Sequence, residues 1–327
     1  MSVVYQYPAH SPKTFGQILD RVFRLLRANF RLLVGLAALP PAVFFALLAL
    51  AASAVLLPTL GALPKHPSPQ QVLQLALAGV PLMIFVLAVY WLSFALYFAA
   101  TSYAAARADQ GVRVTFRESC TFAWSHIGRY FLLLFIIYAI CFFPALVIQL
   151  VMFAGFGLAA LNKTQPNPFL IALFPLESVL QMAVFVAGVI VALRFSLAFP
   201  ASVIEDLTAW QAIRRSGILT RGAKGRIFLV LLVIYAATYL AILLLMCGAA
   251  IVGAIGFFAW WGMHSHLSMP AIRILAVLAG IAFLAVMVLF MACTWAGYTT
   301  ALAVLYNDQR MRIDGAPSAI APNGVPA

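Results

Sequence analysis

Acidic side chains are scarce: eight Asp and Glu stand among 327 residues, and charged residues of either sign make up only 9% of the chain. Soluble domains carry about 25% charged residues, so the composition excludes an ordinary water-exposed surface. Phosphodiester hydrolysis needs carboxylates and histidines gathered around a reaction centre, usually with a metal. Asp20, Asp109, Glu118, Glu177, Glu205, Asp206, Asp308 and Asp314 are dispersed, and so are His66, His264 and His266. No phosphate-binding glycine loop, G-x-S-x-G or H-E-x-x-H occurs. The expectation is a non-enzyme with no metal and no cofactor. The four cysteines, Cys120, Cys141, Cys247 and Cys293, form no C-x-x-C pair, and three lie in apolar runs. They read as small core residues, not as disulfides or metal ligands. Residues 1–13 lack the apolar stretch of a signal peptide, so they are expected to stay on the chain as a polar tail.

What remains is overwhelmingly apolar: 65% hydrophobic residues and a mean hydropathy of +1.05. A bilayer core takes about 20 helical residues. Six runs meet that length, at 32–60, 72–106, 130–161, 176–200, 227–261 and 272–305. The predicted fold class is an all-α integral membrane protein with six transmembrane helices. Pro40 and Pro41 predict a kink in the first run. The fifth, at thirty-odd residues, is too short for two crossings and a turn, so it predicts one long helix. Glu177, the carboxylate nearest an apolar run, is a functional candidate by default. The competing reading starts a helix just after Pro175, where a carboxylate complements the helix dipole.

Ahead of the first, third and fifth runs lie short polar stretches with helical periodicity. In TFGQILDRVFRLLRANFR, Phe15, Ile18, Leu19, Val22 and Leu26 share one face, while Asp20, Arg24, Arg27 and Arg31 recur on the other. Thr115 and Glu118 fit a capping box opening the second stretch, and Asp206 or Thr208 can cap the third. The pattern predicts three repeats of interfacial amphipathic helix plus transmembrane hairpin, at about 14–106, 113–200 and 204–306. They form one membrane domain, 14–312, followed by a disordered tail, 313–327.

A net charge of +12 could indicate nucleic acid, but the basic residues flank apolar runs, so no nucleic-acid partner is expected. Seventeen of the twenty Lys and Arg fall on one side of a six-span topology, leaving only Lys65, Lys163 and Arg273 on the other. The positive-inside rule then places both termini in the cytoplasm. Basic interfacial helices attract anionic lipid headgroups. The expected headgroup contacts are Arg21, Arg24, Arg27, Arg31, Arg214, Arg215, Arg221 and Lys224. Arg194, Glu205, Asp206, Asp308 and Arg310 are expected to form a cytoplasmic charge cluster, with Arg194 opposite Glu205.

Two stretches carry a resemblance. One runs Arg194-Phe195, Val203-Ile204-Glu205-Asp206, Ala212-Ile213-Arg214-Arg215-Ser216 and Leu219-Thr220-Arg221-Gly222; the other is FGQILDRVFRLLRANFRLLVGLAALP. Together they resemble the membrane domain of the bacterial glycerophosphoryl diester phosphodiesterase family. The ending Leu305-Tyr306-Asn307-Asp308-Gln309-Arg310 is similar to that family's closing element, departing from it at Asn307 and Gln309. The resemblance spans roughly 14–312 and implies a bacterial inner-membrane domain. Its namesakes carry a soluble phosphodiesterase domain after this region, whereas only a short tail follows here, so hydrolysis is not implied. The functional expectation is membrane or lipid organisation, with anionic lipids as partners and a homo-oligomer or membrane-protein partner left open. The alternative is a solute permease or channel-like transporter, for which Gln149, Gln181, Pro40 and Pro144 are the mid-membrane features.

Overall fold

A helix leaves its first four N–H groups without intrahelical partners, and three Thr-x-x-Gln/Glu quartets of this chain cap helix starts, the first two with both reciprocal bonds and the third through the Gln211 side chain. Thr14 N–H donates to Gln17 Oε1 at 2.9 Å, while Gln17 N–H donates to Thr14 Oγ1 at 3.4 Å. Thr115 and Glu118 close the same box at 3.5 and 3.3 Å. Thr208 N–H donates to Gln211 at 3.1 Å. Each Thr-x-x-Gln/Glu box opens a short helix.

The computed structural model describes residues 13–51, 53, 68–161, 168–262 and 269–314. These are α-helical apart from short turns, with no strand among the described residues. In order they are α1 (Phe15–Ala28), α2 (Phe30–Ala37), α3 (Leu39–Ala51), α4 (Pro69–Asp109), α5 (Phe116–Ser125), α6 (Ile127–Leu161), α7 (Pro168–Phe195), α8 (Ala198–Ile204), α9 (Ala209–Leu219), α10 (Lys224–Gly262) and α11 (Met269–Asp314). Six segments are long and apolar enough to cross a membrane: Phe30–Ala51, Gly79–Asp109, Ile127–Gly155, Pro175–Ile204, Lys224–Gly248 and Ile281–Asp314.

The first span breaks at Ala38, beside the proline pair that predicts a kink, and Pro40 and Pro41 sit in the first turn of α3. Their missing N–H groups cost nothing there, because first-turn donors have no intrahelical acceptor. Three boundaries differ from the sequence expectation. The fourth span opens at Pro168, which puts Pro175 inside α7 and Glu177 on its third turn. Glu177 therefore cannot complement a helix start at Pro175. That helix also ends at Phe195, and a turn at Ser196 and Leu197 leads into α8. Finally, α11 continues to Asp314, so Ile313 and Asp314 are helical and not part of a tail. Gln, Arg and Met are good helix formers, and losing apolarity beyond Leu305 does not end a helix. The tails 1–12 and 315–327 lie outside the described residues, as do His66, His264, His266, Lys65 and Lys163.

The chain divides into two compact units that interleave along the sequence, and they do not coincide with the three repeat lengths. One comprises Lys13–Ile127 and Leu229–Val304. Within it Ile18, Val22 and Leu25 of α1 are buried, while Phe23, Arg24 and Arg27 are exposed. Ala95, Ala99 and Ala100 of α4 and Ala292 and Ala296 of α11 are fully buried. Small residues of this kind let helices approach closely. Tyr97 donates to the Trp295 carbonyl at 2.7 Å, and the Phe94 and Trp295 rings meet edge-on at 4.8 Å. α4 ends in a Schellman turn: Val112 N–H donates to Arg107 O and Gly111 N–H to Ala108 O, with Gly111 at φ 79°.

The other unit comprises Gly128–Phe228 and, from Leu305, the end of α11. Its core includes Tyr130, Leu133, Leu134, Leu197, Leu219, Ile227, Leu305 and Tyr306, each buried almost completely. Gly188 of α7 lies so near α6 that a Cβ built there would be 3.1 Å from the Cys141 carbonyl oxygen. Gln181 reaches across to α6 as well, donating to Ala145 O and to Gln149 Oε1, both at 3.4 Å.

Candidate functional site: an arginine–carboxylate network

Where α7 stops, its last carbonyls lack intrahelical donors. The Arg194 carbonyl accepts from Ser216 Oγ at 2.8 Å and Thr220 Oγ1 at 3.2 Å, which seats α9 against the end of α7. α8 then ends at Ile204, with Glu205 as its C-cap. Asp206 takes the left-handed conformation at φ 52°, which Asp tolerates better than most residues. Ser202 Oγ donates to Leu207 O at 2.9 Å across this turn. The geometry turns Glu205 and Asp206 in different directions.

Glu205 is the hub. Arg215 Nε lies 3.2 and 3.1 Å from its two oxygens and Nη2 lies 3.0 Å from one of them. Tyr306 donates its hydroxyl to the same carboxylate, and Arg310 Nε stands 3.7 Å away. Arg215 also holds Asp314 through Nη1 at 3.3 Å and through Nη2, while Arg310 Nε is 3.9 Å from Asp314. Two arginines and two carboxylates thus share one network between the α8–α9 turn, α9 and the end of α11. Asp314 first, and Glu205 after it, push the Arg215 pKa above its ordinary value against the opposing effect of burial.

Asp308, six residues before the end of α11, is completely buried. Arg226 of α10 approaches it at 3.1 Å, and Arg312 Nε donates to it at 2.9 Å. Asp206 pairs instead with Arg129 at 2.7 Å, and Arg129 Nη2 donates to the Tyr130 hydroxyl at 3.0 Å. Of the five residues expected to cluster, the structure brings Glu205 and Arg310 together and gives Asp206 and Asp308 separate partners. Arg194 lies beside α9, where a Cβ at Gly217 would meet its Nε at 3.5 Å. Among the described residues no ion pair joins Arg194 to Glu205.

The eight expected headgroup contacts fall into two groups. Arg21 donates to Asp109 Oδ1 at 2.7 Å and to its main-chain oxygen at 2.8 Å, tying α1 to the end of α4. Arg24 pairs with Asp20 one turn away, and Arg215 is held in the network. Arg27, Arg31, Arg214, Arg221 and Lys224 are exposed and form no ion pair among the described residues. Arg214 lies over the ring of Trp210, itself exposed, at 5.4 Å. Tyr306, Asp314, Arg226 and Arg129 were not anticipated. The signal for two of these contacts was present: Arg310–Asp314 and Asp308–Arg312 are i,i+4 pairs, visible once the last helix is carried past Leu305.

Among the described residues no three His, Cys, Asp or Glu side chains are arranged to hold a metal ion. Comparison with protein-family models, curated proteins and solved structures finds no match to this chain.

Proposed function

We propose that this chain is a non-catalytic, multi-pass protein of the bacterial inner membrane that binds and organises anionic lipid, with both termini in the cytoplasm. The observation that carries this reading is the uneven use of charge. Six of the eight carboxylates sit in internal ion pairs. Arg27, Arg31, Arg214, Arg221 and Lys224 are left exposed without one. Exposed aromatic and apolar side chains stand on the same short helices or next to them: Phe23, Phe30, Trp210 and Phe228. Exposed Arg and Lys beside aromatic rings suit a helix lying at an anionic membrane surface, where each basic residue contributes about 1 kcal/mol.

Three Thr-x-x-Gln/Glu boxes, each opening a short helix ahead of an apolar span, support the threefold repeat of interfacial helix and hairpin. The resemblance to the membrane domain of the glycerophosphoryl diester phosphodiesterase family agrees with this reading. Its quoted motif contains Glu205 and Arg215, the centre of the ion-pair network.

Native mass spectrometry of the purified protein, released from vesicles of phosphatidylethanolamine and phosphatidylglycerol, tests the proposal. Preferential retention of phosphatidylglycerol, reduced in R27Q/R31Q and in R214Q/R221Q/K224Q, is the expected result. Retention indifferent to headgroup, with a water-soluble solute bound and taken up into vesicles, overturns it in favour of a permease.

A further inference from the structure

Arg215 presents two hydrogen-bonding edges, and they are filled differently. The Nε–Nη2 edge faces Glu205, a carboxylate 17% exposed that also accepts from Tyr306. The Nη1–Nη2 edge faces Asp314, which is 36% exposed and stands at the last described turn of α11. Arg310 Nε lies 3.9 Å from the same Asp314 oxygen that Arg215 Nη2 holds. Two guanidinium groups therefore converge on one carboxylate held only by its place near the end of a helix. A guanidinium fork with a second arginine beside it is the donor set that takes a phosphate, two oxygens on the fork and a further one on the neighbour.

We propose that Arg215 and Arg310 form a binding position for a phosphomonoester, occupied in this structure by the chain's own Asp314 carboxylate. This rests on the lipid reading and deepens it, because a headgroup phosphate gains a defined seat in addition to a charged surface. A phosphomonoester carries about −1.5 to −2 at neutral pH and three acceptor oxygens. It can satisfy both arginines, whereas Asp314 brings one charge. The Glu205 side stays in place during the exchange, fixed by Tyr306 and by the second edge of Arg215. Asp314 thereby acts as an internal competitor that sets the concentration at which phosphate enters.

The test measures binding to the full-length protein in detergent by calorimetry, with three probes: dioctanoyl phosphatidic acid, inorganic phosphate and dioctanoyl phosphatidylcholine. D314N keeps the side-chain shape and removes the competing charge. It is expected to tighten phosphatidic acid binding about tenfold, the size of effect that hydrogen bonds to charged groups produce. The gain should vanish in D314N/R310Q, and D20N, which removes the same charge elsewhere, should show none. A gain shared by inorganic phosphate identifies the phosphate group by itself as sufficient; a gain confined to phosphatidic acid identifies the lipid headgroup. Either supports the site.

An equal gain for phosphatidylcholine, no gain in D314N, or a gain that survives loss of Arg310 overturns it. If wild-type protein prefers anionic lipid while D314N gains nothing, the site fails and the lipid reading stands. If D314N gains while the wild type is indifferent to headgroup, the site stands and the lipid reading fails.

Discussion

In α4, Ala95, Tyr97, Ala99, Ala100 and Ala104 are buried, whereas about three turns earlier Met83, Ile84 and Phe85 face outward. α11 repeats the contrast: Ala301 to Tyr306 are buried, and Ile281, Phe283 and Leu289 are exposed. α6 does the same, with Tyr130, Leu133 and Leu134 inside and Phe142, Phe143 and Phe153 outside. In each helix the buried part adjoins the short helices and the ion pairs, and the exposed part is apolar with almost no charge. The two parts are stabilised by different surroundings. Near the charged ends, protein packs on protein, and Asp109, Glu205, Asp206, Asp308 and Asp314 each have an arginine partner. Along the other halves, large apolar side chains have no protein cover, a surface that a water-soluble monomer rarely tolerates and that hydrocarbon accepts without cost.

Substitutions at the two ends should therefore differ most. Asp308→Ala leaves Arg226 and Arg312 facing an emptied, fully buried position. Removing one partner of a buried ion pair typically costs about 3–5 kcal/mol, so this variant should lower the midpoint of denaturant unfolding in detergent more than any other. Asp308→Asn should recover part of the loss. Unfolding no different from wild type would mean that the charged end of α11 is not a stable part of its unit.

Gly188→Leu sharpens the comparison, because it places a side chain where α7 touches the backbone of α6 within the apolar region. Overpacking costs about 1–3 kcal/mol, and the same unfolding measurement should place this variant between the extremes. A Gly188 variant as stable as wild type would show that the two helices can part freely along that stretch. Phe153→Ala should change least. Its side chain is 74% exposed, so truncation removes few protein contacts, and the effect should stay within about 0.5 kcal/mol. A loss as large as that at Asp308 would show that another protein surface covers Phe153, and would erase the distinction between the two halves.

Much of the architecture could be read from local patterns. The six apolar runs correspond to the six segments long enough to cross a membrane, and the fifth is a single helix, Lys224–Gly262. Thr115 and Glu118 form the capping box that their spacing predicts. The boxes at Thr14 and Thr208 obey the same rule with Gln in place of Glu. Pro175, read as a helix start, misplaced the end at Pro168, and hydropathy misplaced the one at Asp314, because it measures affinity for lipid and not helix formation. Extending α11 through Arg310, Arg312 and Asp314 puts the last carboxylate within reach of Arg215 and makes the network possible.

Hydropathy and charge spacing, both local properties of the chain, determined by themselves that this protein is helical, that six segments can span a bilayer, and that basic residues gather beside them. Tertiary structure decided which charges meet beyond the i,i+4 pairs of a single helix. Glu205 is ten positions from Arg215 and 101 from Tyr306, and Arg215 is 99 from Asp314. An ion pair depends on distance in space, and no periodicity along the chain encodes that distance. It emerges only when α9 docks on the end of α7 and α11 delivers its final turn beside both.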